Sequence, residues 1–204
     1  MWRLSVIFFF LISPLSAGDT SQNSSTVAVQ IFLDPAAPET SYGLMDGETF
    51  SVGLGRAGVT KEGLAFRGGS SLLGDFTVSA VLADDRFEME EALVKQSGKS
   101  EAWLRENLFR NMSSIDFDGD GQGGEYGAGF IGLKPIDTRA EQPFHFGNYQ
   151  GVFRWYSYAI HGTQDESRIG KCVTGGCINV GAGSLGALLQ RLKVGDRVSI
   201  SVRK

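Results

Sequence analysis

The chain has 204 residues, 42% of them hydrophobic, and a formal net charge of −4. A chain of that length and composition suits one domain that buries a sufficient core without staples. Basic clusters are absent, which argues against nucleic acid as a partner, and beyond the first residues no stretch is long and apolar enough for a membrane span.

Residues 1–17 read as a signal peptide. Arg3 gives the positive start. Leu4 to Ile12 is an apolar run, interrupted only by Ser5 and too short to cross a bilayer, and Ser16-Ala17-Gly18 supplies small residues for cleavage. Removing this segment takes away one positive charge and leaves −5. No cysteine follows the cleavage region, so a lipoprotein is disfavoured. The expectation is an exported protein, periplasmic or extracellular and associated with the cell wall, with no transmembrane segment after cleavage. Residues 18–25, rich in Ser, Asn, Asp and Thr, read as a disordered lead-in. Residues 26–204 form the folded part.

From Thr26 the pattern is that of strands. Val27, Val29, Ile31 and Leu33 alternate with Ala28, Gln30 and Phe32 until Pro35 and Pro38 break the run. Gly47 to Gly55 is a second strand and Leu72 to Val81 a third. Asp84 to Asn111 breaks the β pattern and reads as an inserted helical hairpin, around residues 84–112. Met89 to Gln96 suits a short helix. Ser100 then stands as an N-cap before Glu101, with Leu104, Leu108 and Met112 at helical spacing. The hairpin either covers one end of the sheet or forms a wall for substrate.

Asp116-Phe117-Asp118-Gly119-Asp120-Gly121 resembles the first half of a calcium loop. The twelfth place is Gly127, where a bidentate Glu belongs, and the eighth is Gly123. A solvated Asp/Gly turn is the expectation, with no metal. Phe130 to Leu133 is a short strand. His145, between Phe144 and Phe146, reads as a packed residue. Gly151 to Ile160, dense in aromatic and β-branched residues, reads as a central strand that delivers His161 at its end. Trp155, Tyr156 and Tyr158 stand in it as core residues or as lining for a cleft. Ser184 to Leu192 carries Leu185, Leu188, Leu189 and Leu192 at helical spacing. Arg197 to Val202 closes the chain as a strand with Val198, Ile200 and Val202 on one face.

The chemistry concentrates between His161 and Asn179, which hold one of the two histidines and both cysteines, Cys172 and Cys177. A thiolate is the reactive form of cysteine, and an imidazole nearby can take its proton. Gly175 and Gly176, directly before Cys177, let the backbone turn sharply and point amide N–H groups at a substrate oxyanion. A base, a nucleophile and an oxyanion hole are the parts for acyl transfer through a thioester. A helix starting just after Cys177 would lower the thiol pKa through its N-terminal dipole if the sulfur lay near that end.

The run I-H-G-T followed by I-G-K-C-V-T-G-G-C-I-N resembles the active-site signature of the L,D-transpeptidase (YkuD-type) catalytic domain. The resemblance implies His161 as base, Cys177 as nucleophile, and Thr174 as the motif's hydroxyl. It also implies a role for the Gly162 carbonyl in orienting the imidazole. Gly175 stands where many members carry His or another polar residue, Asn179 where many carry Arg, and Cys172 where a small apolar residue is usual. Ser71 to Phe76 is similar to the family's Thr-Pro-x-Gly-x-Phe stretch but lacks the Thr-Pro. With the strand pattern, the likeness covers about Thr26 to the C-terminus. It implies a mainly β fold, a mixed sandwich or curled sheet with a few helices, and no cofactor.

The implied reaction is cysteine-dependent acyl transfer on peptidoglycan stem peptides. An amine-bearing acceptor peptide or protein gives a cross-link or attachment, and water gives carboxypeptidase or amidase activity. Two alternatives stand beside it. One is a secreted effector that damages a competitor's wall with the same site. The other is a non-catalytic wall-binding protein in which Cys172 and Cys177 form a permanent disulfide. The short distance from base to Cys, in that order, speaks against a papain-like protease.

Overall fold

A computed structural model describes residues 26–61, 68–116, 121, 123–136, 144–146, 149–151 and 157–204. Residues 1–25, which contain the segment expected to be an export signal, lie outside the described residues.

The first strand, β1 (Val27–Leu33), keeps the alternation read from its sequence, with Val29, Ile31 and Leu33 fully buried. A 3-10 turn at Pro38–Thr40 leads into β2 (Tyr42–Met45), which pairs antiparallel with both β1 and β3 (Glu48–Gly55). Short strands β4 (Val59–Thr60) and β5 (Ser71–Leu72) pair in parallel beside the next long strand, β6 (Gly74–Ala83). The Asp84-Asp85 turn folds the chain back as β7 (Arg86–Met89), antiparallel to β6. The helical insertion therefore begins at Glu91, and residues 86–89 extend the sheet instead. Helix α1 (Glu91–Ser97) ends on Gly98 in the left-handed conformation. Helix α2 (Glu101–Ser113) starts at the expected cap, where the Ser100 hydroxyl accepts from the Trp103 amide at 3.2 Å.

Strand β8 (Gly129–Pro135) returns through the sheet between β6 and β11 (Ala159–His161). A separate hairpin of β9 (Phe144–Phe146) and β10 (Tyr149–Gly151) lies between them in sequence. The long aromatic strand expected over 151–160 is thus not continuous. Gly151 ends a hairpin strand, Ser157 lies in a 3-10 turn, and β11 is three residues long. The remaining elements are β12 (Cys172–Thr174), β13 (Ile178–Val180), α3 (Ala182–Arg191) and β14 (Arg197–Val202).

The neighbours run β3, β13, β11, β8, β6, β14, β1 and β2, and β2 pairs back onto β3. The curled sheet closes into a ring, which removes the unpaired edges that an open sheet would expose. Within the ring β1 and β14 are parallel, as are β11 and β13.

Two hydrophobic clusters flank this sheet. The main core holds Val29, Ile31, Val52, Ile160, Ile178, Val198 and Ile200, with Leu185 and Leu188 of α3. The second cluster sits under α1 and α2 and holds Ala80, Leu82, Leu104, Leu108, Met112, Tyr126, Phe130 and Ala159. Strand β6 serves both. Val78 and Val81 face the main core, while Ala80 and Leu82 face the second cluster, with a register shift between Val78 and Ala80. That two-sided burial accounts for its nearly continuous apolar run. Each fully buried Leu or Ile contributes roughly 1.5–3 kcal/mol relative to exposure. The helical hairpin therefore covers the outer face of the sheet directly beside the strands that carry His161 and Cys177.

In the Asp/Gly stretch, the Gly121 amide donates to Asp116 Oδ2 at 2.9 Å. Asp118 and Asp120 lie outside the described residues. No helix among the described residues is long and apolar enough to cross a membrane.

Candidate active site

Two short parallel strands place the candidate residues. Ile160 of β11 is in register with Ile178 of β13, and His161 with Asn179. Side chains alternate along a strand, so Ile160 and Ile178 enter the main core while Ala159 and Cys177 pack with the second cluster. The same alternation puts His161 and Asn179 on the Cys177 side. His161 and Cys177, far apart along the loop that joins them, become diagonal neighbours on one face of the pair.

His161 is 8% exposed. Its Nδ1 lies 2.7 Å from the Gly162 carbonyl oxygen. The Asn179 amide nitrogen is 3.0 Å from the same oxygen and 3.1 Å from Nδ1. An Nδ1–H that donates to Gly162 leaves the lone pair on Nε2, the tautomer a base needs. Tyr126 meets the ring edge-on at 4.8 Å between centroids, and Phe130 stacks near-parallel at 6.3 Å. Burial lowers the His161 pKa to about 4. The positive charge of Arg168 acts in the same direction, and the backbone carbonyls of Gly162 and Glu125 offset it only in part.

Gly162 is glycine for a steric reason. A Cβ there would stand 2.8 Å from Leu185 Cδ2 and 3.0 Å from the Tyr126 carbonyl oxygen. Gly127, at φ +59°, lies equally close to the Gly162–Thr163 backbone. The Gly124–Gly127 turn thus rests on the backbone around the imidazole. In the sequence this G-E-Y-G stretch stands only as the incomplete end of a calcium-like loop. An aromatic between glycines, just ahead of a strand, is the signal it carried.

The turn before β13 is braced by one side chain. Thr174 Oγ1 donates to the Cys177 carbonyl at 2.6 Å and accepts from the Gly176 amide at 3.1 Å. The Gly176 N–H is therefore already bonded, which corrects the expectation that it is free to hold an oxyanion. Gly176 sits at φ +129°, a conformation that favours glycine. A Cβ on Gly175 would meet nothing within 4 Å, so open space adjoins the turn there.

The Cys177 thiol is pushed up to about 12 by burial, and a contact with the Ala159 backbone offsets this only slightly. Helix α3 does not lower it. The helix begins at Ala182, and its first amide is capped by Glu166 Oε1 at 2.8 Å. A carboxylate at that end satisfies the dipole. At neutral pH the resting site accordingly holds a neutral thiol and a neutral imidazole.

Cys172 and Cys177 are both free. Cys172 on β12 packs against the main core and Cys177 against the second cluster. The two thiols are thus directed to different layers of the sheet and are not joined in this structure. Tyr158 packs against Phe76 at 6.1 Å in the main core. Trp155 and Tyr156 lie outside the described residues, as does the side chain of His145.

The low His161 pKa has a consequence for stability. A base whose folded pKa is depressed supplies stability that is fully present above its unfolded pKa. Between about 6.5 and about 4 the unfolded chain binds a proton that the fold refuses. Stability should fall over that window by on the order of 3 kcal/mol from this group, and no further below it. Urea unfolding of wild type and His161→Asn between these pH values checks this. Equal pH slopes in the two proteins would refute it.

A family model described as the L,D-transpeptidase catalytic domain, YkuD, matches residues 45–200. Among solved structures the chain is similar to an L,D-transpeptidase from Mycobacterium smegmatis, at 16% identity and a TM-score of 0.40, covering 85% of this chain and 58% of that one. It is similar to L,D-transpeptidase 3 from Mycobacterium tuberculosis with a faropenem-derived adduct, at 12% identity and a TM-score of 0.43, covering 86% and 60%. An L,D-transpeptidase from Xylanimonas cellulosilytica gives 13% identity and a TM-score of 0.38, covering 87% and 62%. The chain thus spans less than two thirds of the length of each. A comparison with curated proteins finds no match.

Proposed function

The chain belongs to the L,D-transpeptidase catalytic domain family, and on that premise we propose that it performs cysteine-dependent acyl transfer on peptidoglycan stem peptides. The observation that carries this reading is the pairing of β11, which ends on His161, with β13, which Cys177 directly precedes, with Nδ1 of the imidazole held by Gly162.

Cys177 Sγ attacks the carbonyl carbon of a donor amide at an L-to-D bond, and its proton passes to His161 Nε2. The C–N bond of the tetrahedral intermediate breaks, and the same proton leaves with the amine of the departing D-amino acid. The product is a thioester on Cys177. Attack by an acceptor amine of a second peptide or a protein then gives a cross-link, and attack by water gives carboxypeptidase activity. The Cys177 amide is the candidate oxyanion donor, since Thr174 holds that of Gly176. Thr174 fixes the turn, and Asn179 fixes the Gly162 carbonyl that orients the ring. No step uses a metal or cofactor.

Because thiol and imidazole are both neutral at rest, proton transfer accompanies attack on the bound substrate. The free thiols favour an enzyme over the disulfide-locked wall binder. Residues 1–17 support export to the wall. Incubation with a purified disaccharide-tetrapeptide, read by mass, tests the reading. We expect loss of the terminal D-amino acid, with a dimer or a tripeptide as product. An unchanged donor would reject it.

A further inference from the structure

Arg168 ends a 3-10 turn, Glu166–Arg168, in the loop between β11 and β12. Residues 164–167 ahead of it are exposed, whereas Arg168 is half-buried and its Nε is buried. An arginine keeps its charge at any working pH, and such a side chain is seldom drawn out of water. Its surroundings say what it is drawn toward.

The turn is pinned on both sides. Glu166 caps the first amide of α3, and the Leu54 amide donates to the Lys171 carbonyl at 2.9 Å. Between these anchors the chain crosses β3. A Cβ on Gly53 would stand 2.7 Å from the Arg168 carbonyl oxygen and 3.4 Å from Asn179 Cβ. The turn therefore lies on the same side of the sheet as the Asn179 side chain, whose amide nitrogen is 3.1 Å from His161 Nδ1. Gly53, Asn179 and His161 stand in one row across β3, β13 and β11. From the end of that row the charge of Arg168 acts on the imidazole. A permanent cation there opposes a base that must accept a proton. The placement makes chemical sense once an anion joins it.

We propose that Arg168 is a specificity-determining residue, whose guanidinium binds the terminal carboxylate of the acyl-donor peptide. This rests on the acyl-transfer reading above. In that reaction His161 hands its proton to the amine of the departing D-amino acid. The amine and the terminal carboxylate sit on the same carbon, so a donor that brings one to His161 brings the other close beside it. The planar guanidinium fork matches the two oxygens of a carboxylate. The bound carboxylate offsets the cation, so the imidazole gains proton affinity only when a donor is in place.

The test measures kcat/KM for release of the terminal residue, read by mass, from two donors. One is the disaccharide-tetrapeptide, and the other is the same compound ending in a carboxamide. Wild type should favour the carboxylate by roughly tenfold to a hundredfold, the range for hydrogen bonds to charged groups. Arg168→Gln should lose that preference through a fall on the carboxylate donor alone. Arg168→Lys, which keeps the charge but not the fork, should keep only part of it. Equal rates on the two donors in wild type overturn the inference, whether or not either variant folds. So does an unchanged preference in either variant, or an Arg168→Gln protein that slows on both donors alike. A wild type that releases nothing from either donor rejects the acyl-transfer reading itself, and the role of Arg168 with it.

Discussion

Cys177→Ala should reduce turnover of a muropeptide donor by about 10⁴-fold or more while leaving the fold in place, since a nucleophile removed from a catalytic unit costs on that scale. Cys177 packs as a partly buried residue against the second cluster, and Ala removes only its sulfur. His161→Ala should cost nearly as much. The two act on one proton, so the double variant should be no worse than Cys177→Ala alone. Mass-resolved turnover of the three variants, with circular dichroism as a check on folding, decides the matter. Activity near wild type in the Cys177 variant, or losses that simply multiply, would dismantle the pairing.

The second large effect concerns the resting thiol. At neutral pH the fraction of thiolate is tiny when the pKa stands at about 12. Iodoacetamide should therefore modify Cys177 on the order of 10³-fold more slowly than free cysteine near pH 7.5. The rate should climb about tenfold per pH unit through the alkaline range, as for any thiol far below its pKa. Cys172→Ala isolates the signal from the other sulfur, and peptide mass spectrometry confirms the modified site. A fast rate that stays flat into the acid range would mean a standing thiolate–imidazolium pair, contrary to the burial of both groups. His161→Ala should hardly change the slow rate, because the imidazole in the free enzyme does not hold the thiol's proton.

Much of the fold could be read where one face is buried. The alternation of Val27 to Leu33 survives because Val29, Ile31 and Leu33 line the main core. Leu185 and Leu188 mark α3 for the same reason. Strand β7 escaped because four residues, two of them charged, are too short a window, even though Phe87 is buried and pairs with Leu82. The aromatic run before His161 misled in the opposite sense, since aromatic density marks burial and not one continuous strand.

Closure of the ring is a long-range matter of pairing, which no local pattern announces. At the site, residue types and spacing pointed to the segment, but side-chain direction decides the rest. The T-G-G-C letters do not say that Thr174 takes the Gly176 amide. Nor do they say that Cys172 and Cys177 enter different layers, or that a tyrosine from a distant turn lies on the imidazole.

The ring also ties the two ends of the described fold together. Strand β14, last of the strands in sequence, inserts between β1 and β6, and it pairs with the first strand. These contacts span nearly the whole described chain, so the search for them is slow compared with forming a local hairpin. Without that strand the sheet would be open, with unpaired margins at β1 and β6. The place of β14 in the ring pairs both of those margins at once. Closure is therefore a joint property of the first and last strands, and loss of either one reopens the ring.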